Sequence, residues 1–253
     1  MTDSFEDLRS GVVLAELGGH GDGPYCAKHG AGGAMVILGT YIVDPGDDVD
    51  YPKHFVFKPG RSNYADYLKQ HVAEARKSGG KVAVSVCCVQ LEHNIDFLQA
   101  AEEAGADYAS YCAHSDMRMF TGQNLSSRLC RRENWDNLRK WASTMAEKVD
   151  IPVIFKIGAN SKDQDVVGAV EIMAESDIPA VHINVWDTSA GSAGLQMISA
   201  LKGKCEFLIA GGGIKNSEDA RRVLTAGADA VAIGTTAMND PELIGRVQKS
   251  LRT

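Results

Sequence analysis

Eight short, almost wholly apolar runs recur along this chain, each followed by a stretch with helical periodicity, and no other feature constrains the fold as much. The runs are residues 11–15, 34–38, 81–87, 107–112, 153–157, 180–184, 206–210 and 229–233. Helical stretches follow near 24–29 and over 63–78, 94–104, 134–149, 163–176, 194–202, from about 216 onward, and over 241–251. Strands that alternate with helices build right-handed βαβ units and a parallel sheet. Runs that are apolar at nearly every position fit strands buried on both faces. Eight such units in 253 residues match the ~250 residues of a closed barrel better than an open sheet. The expectation is an α/β fold, a single (β/α)8 TIM barrel occupying one domain over 1–253. Residues 39–61, with Pro45, Pro52 and Pro59, read as one long loop.

The formal net charge of −7 argues against a nucleic-acid or membrane-surface partner, since both need a cationic face. Cys26, Cys87, Cys88, Cys112, Cys130 and Cys205 show neither a CxxC pair nor a metal-ligand spacing. That usage suits a reducing compartment and predicts no metal centre. The polar N-terminus and the absence of a membrane-length apolar run predict a cytoplasmic protein. The partners this leaves are a small-molecule substrate and, with oligomeric state open, a second copy of the same chain.

In a parallel barrel, chemistry is expected where strands end. Gly211, Gly212 and Gly213 follow the seventh run, and Gly234, Thr235 and Thr236 follow the eighth. Glycines let backbone N–H groups approach an anion closely, so two such turns one βα unit apart read as a phosphate cradle. Tight turns alone are the simpler alternative. Lys156 interrupts the fifth run, where burying an unpaired ammonium is costly. It is either a fixed cation or an amine able to form a Schiff base. His182 and Asn184 alternate on the sixth run and share a face. Cys112, His114 and Ser115 after the fourth run are candidates for proton transfer, as is the carboxylate of Glu16 after the first. Arg118 and Arg128 lie in the one strongly basic region and could meet an anionic substrate.

The order of LAEL (14–17), the strand ending in SYCAHS, PVIFKIG, AVHIN and AGGGIKNSEDARRVLTAGADAVAIGTTAM resembles the flavin-dependent barrels that include dihydroorotate dehydrogenases and tRNA-dihydrouridine synthases. That resemblance implies FMN, with its phosphate at Gly212, Gly213, Gly234 and Thr235. It further implies Lys156 beside the isoalloxazine, His182 and Asn184 near flavin or substrate, and Ala15, Glu16 and Ser85 along the cofactor site. Aligned without gaps, Ser115 takes the position of the synthases' proton-donating Cys, and Cys112 that of their Asn. Ser85 stands where those enzymes carry a flavin-contacting Gln. Their RNA-binding helical domain has no counterpart, which with the acidic charge argues against tRNA.

Three functions compete at this stage. The first is an FMN-dependent oxidoreductase acting on a C–C bond of a small anionic ring compound, with Ser115 or Cys112 exchanging the proton and Lys156 and His182 completing the catalytic set. The second is a flavin-free, phosphate-binding lyase or aldolase with Lys156 as Schiff-base nucleophile. The third is a binding protein that keeps the cradle without turnover.

Overall fold

A computed structural model describes residues 5–43, 49–159, 165–187 and 192–253. Part of the expected 39–61 loop and the first residues of the expected 163–176 helix therefore fall outside the described residues. The eight barrel strands are β1 (Val12–Leu14), β2 (Met35–Val43), β3 (Lys81–Cys88), β4 (Tyr108–Ala113), β5 (Val153–Gly158), β6 (Ala180–Asn184), β7 (Phe207–Gly211) and β8 (Ala230–Ile233). All pair in parallel with their neighbours in chain order, and β1 pairs with both β2 and β8. The sheet is thus closed, and the chain forms a (β/α)8 TIM barrel.

The outer helices are α1 (Gly23–His29), α2 (Ala65–Ala75), α3 (Leu91–Glu103), α4 (Trp135–Lys148), α5 (Val166–Glu175), α6 (Leu195–Leu201), α7 (Ser217–Ala226) and α8 (Leu243–Leu251). Their caps are encoded locally. Asp22 accepts from the Tyr25 amide and Asp165 from that of Gly168. Asn216 accepts from both Glu218 and Asp219, each at 2.9 Å, and so satisfies two of the amides a helix start leaves unpaired.

Two apolar clusters result. The larger lies between strands and helices. The smaller fills the barrel interior with Val13, Met35, Ile37, Ile154, Phe207 and their neighbours. Phe5 plugs the N-terminal end of the barrel, its ring 4.9 Å from that of Tyr108 and 5.1 Å from that of Phe207.

β2 is longer than its apolar run suggests. Gly39 to Val43, expected as loop, continue the strand with a register shift between Leu38 and Tyr41. Gly39 at φ +102° accommodates that irregularity, and the prolines begin only beyond the strand. The third helix starts at Leu91 rather than Asn94 because Leu91 is itself buried and adds a turn to the apolar face.

Candidate active site

Register decides which side chains meet at the mouth. Lys156 on β5 is level with Cys112 on β4 and His182 on β6, and partners in a parallel ladder point to the same face. Two residues below, Ile154 and Ala180 belong to the interior cluster, so Lys156 and His182 also point inward, one layer higher. Asn184 and Gly158 form the next layer up. Gly158 ends the fifth run because a side chain there would collide with the His114 ring.

Glu16, just past β1, reaches into this layer and organises it. Its Oε2 lies 3.2 Å from Lys156 Nζ and 3.5 Å from His182 Nδ1. Ser85 Oγ donates to its Oε1 at 3.4 Å, and Thr40 stands 3.3 Å behind Ser85. Glu16 and His182 are almost fully buried, and Lys156 is 8% exposed. Burial alone would push the Glu16 carboxyl up, but Lys156 and His182 override it and hold it at about 2. Burial pushes His182 below the usual imidazole range, with the Glu16 carboxylate opposing. The result is an ionised carboxylate facing an ammonium, with a largely neutral imidazole at their side.

His114 stands on the other side of Lys156. Burial, reinforced by the Lys156 charge, lowers its pKa to about 4. Asn184 is oriented by accepting from the Trp186 amide at 3.2 Å, which turns its Nδ2 toward His114 Nε2, also at 3.2 Å. A neutral ring with Nε2 accepting satisfies both observations.

A cavity of about 600 Å³ opens over this cluster and extends to the ends of β7 and β8. It is lined by Ala15, Glu16, Lys156, His182 and Asn184 on one side. Gly212, Gly213, Gly234, Thr235 and Thr236 line the other. Gly212 (φ +126°) and Gly213 (φ +69°) adopt conformations that disfavour side chains, and a Cβ at Gly213 would strike the Trp186 ring. Gly234 differs. Its φ is −113°, and an added Cβ would meet only Leu17 at 3.4 Å and Ala15 at 3.7 Å. A four-residue helix, Thr235–Met238, follows; its first amides have no partner within the turn. His29 Nδ1 anchors this helix by donating to the Ala237 carbonyl at 2.8 Å.

A second cavity, about 460 Å³, shares Glu16, Leu17, Lys156 and Asn184 with the first and runs toward β2, β3 and β4. Cys112, His114 and Ser115 are in its wall. Burial pushes the Cys112 thiol up, away from the thiolate that proton or nucleophile chemistry would use. Ser115 Oγ accepts from the Met117 amide at 3.2 Å. Ser85 lies beneath Glu16 and lines neither cavity, and Arg118 and Arg128 are outside both walls. The sequence reading missed Trp186, Leu17, Tyr51 and Asn239, and weighed Glu16 too lightly. An aromatic two residues beyond a strand end was the available signal for Trp186.

The fold and these cavities define a barrel whose paired glycine turns share one cavity with a buried cluster of ionisable groups, and comparison with known proteins bears on that class. The profile of the Histidine biosynthesis protein family matches residues 161–253. Forty residues are 58% identical to imidazole glycerol phosphate synthase subunit HisF of Dictyoglomus turgidum, 16% of either chain. The corresponding subunit of Natronomonas pharaonis is 36% identical over 95 residues, 35% of each chain. Geranylgeranylglyceryl phosphate synthase of Methanopyrus kandleri is 35% identical over 73 residues, 29% of this chain and 30% of that one. The chain thus matches about a sixth to a third of the length of these relatives.

These similarities overturn the resemblance to dihydroorotate dehydrogenases and dihydrouridine synthases, and with it the FMN cofactor and the oxidoreductase activity. The relatives named above are synthases whose names carry a phosphate compound, and none of these names is a flavin enzyme's. A physical reason accompanies the correction. Paired glycine turns recognise a phosphate and carry no information about what is attached to it. The lysine taken as a cation for an anionic flavin edge is already paired with an ionised carboxylate. No helix among the described residues is long and apolar enough to cross a membrane.

Proposed function

We propose that the chain works as a single flavin-free barrel domain in the cytoplasm, a lyase or synthase on a small phosphorylated carbonyl compound. The observation that carries this reading is the continuity of one cavity from the glycine cradle to the Glu16–Lys156 pair. The phosphate is held by amides at Gly212, Gly213, Gly234 and Thr235 and by the hydroxyls of Thr235 and Thr236. Lys156 Nζ attacks the substrate carbonyl carbon once its proton has left to water in the cavity, and loss of water yields the imine. Glu16 then serves as the acid–base group for the bond made or broken beside it, and His182 orients its carboxylate. The six free cysteines agree with a reducing compartment.

Borohydride reduction in the presence of glyceraldehyde 3-phosphate or dihydroxyacetone phosphate tests this. The expected result is a reduced adduct mapped to Lys156, absent in Lys156→Arg and in Gly234→Asp, whose added carboxylate occupies and repels the phosphate position. Binding of both phosphates without any adduct would make Lys156 a fixed cation polarising the carbonyl. Failure of wild-type protein to bind either compound would overturn the reading.

A further inference from the structure

The second cavity gathers large apolar side chains at the β2–β4 side of the mouth. Its wall includes Ile42, Tyr51, Met117 and Phe120, with the thiols of Cys87 and Cys112 between them. Burial pushes both thiols up, so they stay neutral, and His114 is uncharged at neutral pH by the same cause. Among the described residues Lys156 is the one cation in this wall, and Glu16 engages it. Asp50 adds a carboxylate to the wall, which repels an anion. Tyr51 is fixed by donating its hydroxyl to the Thr40 carbonyl at 2.8 Å, so the lobe has a preformed aromatic side.

The two cavities meet only at Glu16, Leu17, Lys156 and Asn184. A ligand spanning them must pass its middle over Lys156. We infer that this lobe is the site of the substrate's second half, an uncharged and largely apolar group of about aromatic-ring size, attached through the reacting carbon to the phosphate-bearing half. This rests on the phosphate-cradle reading above and narrows its substrate class. The lobe would exclude a second phosphate, so bisphosphorylated compounds are poor ligands. Concave, mostly apolar pockets of a few hundred Å³ with a few oriented polar groups are the usual form of small-molecule sites, and this one has room for a ring and its linker.

The test compares methyl phosphate with phenyl, 2-phenylethyl and 4-phenylbutyl phosphate by calorimetric titration of the native protein. At least one arylalkyl ester is expected to bind about tenfold or more tighter than methyl phosphate, because ring burial adds apolar contact the short ester lacks. Met117→Trp, which fills the lobe from the loop after β4, is expected to remove that gain while leaving methyl phosphate within about twofold. Retained methyl phosphate binding also shows that the variant is folded. Equal affinities across the series, or a gain that survives Met117→Trp, would overturn the lobe assignment and leave the cradle intact. Absence of methyl phosphate binding to native protein would instead overturn the proposed function and this inference together.

Discussion

The two ends of the barrel interior are built from the same strands and differ almost completely. At the N-terminal end, the inward positions are Val13, Met35, Tyr108, Ile154 and Phe207, sealed by Phe5. One layer above Ile154 and Ala180 the inward positions become Cys112, Lys156 and His182, with Glu16 reaching in beside them and Ser85, level with Ile154, beneath it. The lower layers gain stability by burying apolar area. The upper layer buries two opposite charges, which on their own repay their desolvation poorly. Apolar residues of similar volume would serve the fold there at least as well.

The sharpest way to break this contrast is Lys156→Met. Removing the cation strands an ionised carboxylate in a buried site, and a stability loss of about 3–5 kcal/mol is expected, with the borohydride-trapped adduct absent. Urea unfolding and adduct formation check the two effects. Adding Glu16→Gln to it should recover much of the stability and none of the chemistry, because the stranded charge is gone while the nucleophile is still missing. A stable and reactive single variant would show the upper layer to be ordinary packing. Phe5→Ala makes the opposite cut. It empties a fully buried stacked position and should cost about 3–5 kcal/mol, while methyl phosphate affinity stays within about twofold.

The same contrast explains what the sequence could and could not disclose. The barrel was legible because eight apolar runs at βα spacing have few other solutions, and the caps at Asp22, Asp165 and Asn216 are written within a turn of the residues they serve. The glycine turns stood out for the same local reason, and the structure places both in the wall of the cavity that Lys156 also lines. Assigning a flavin to them was the error, since one grammar of Gly, Thr and a helix start serves many phosphates. The family profile falls on residues 161–253, which hold both glycine turns and omit Glu16 and Lys156. Glu16 stood out poorly because its partners lie on β5 and β6, far along the chain, and only closure of the barrel brings them within 3.2 and 3.5 Å.

Acid separates the two ends by another route. His114 is held near 4 in the folded protein and titrates near 6.5 when unfolded. As pH falls from about 6.5 toward 4 the unfolded chain takes up a proton the native site refuses, so stability declines, by at most about 3 kcal/mol. His182 is shifted in the same direction and adds to the decline. Glu16 acts lower. Its contribution is complete above its ordinary value of 4.5 and is lost as pH falls toward about 2. Urea midpoints measured between pH 7 and 4 should fall for the wild type and fall less for His114→Gln, which keeps an acceptor for Asn184. An unchanged slope in that variant would remove His114 from the account.

The finest distinction lies within the cradle, between two glycines that look alike in sequence. Gly213 combines φ +69° with a Cβ direction that runs into Trp186, so Gly213→Ala must strain the turn or displace the ring. The expected cost is about 1–2 kcal/mol of stability, with weaker phosphate binding as the turn shifts. Gly234→Ala meets only ordinary contacts at Leu17 and Ala15, and its backbone conformation does not require positive φ. It should cost less stability than Gly213→Ala and weaken methyl phosphate binding by about three- to tenfold, an energy of about 1 kcal/mol, because its methyl group points toward the proposed ligand space. If the alanine at 234 instead destabilises the fold while phosphate affinity holds, the cavity wall there belongs to the scaffold, and the phosphate must sit nearer Gly212 and Gly213.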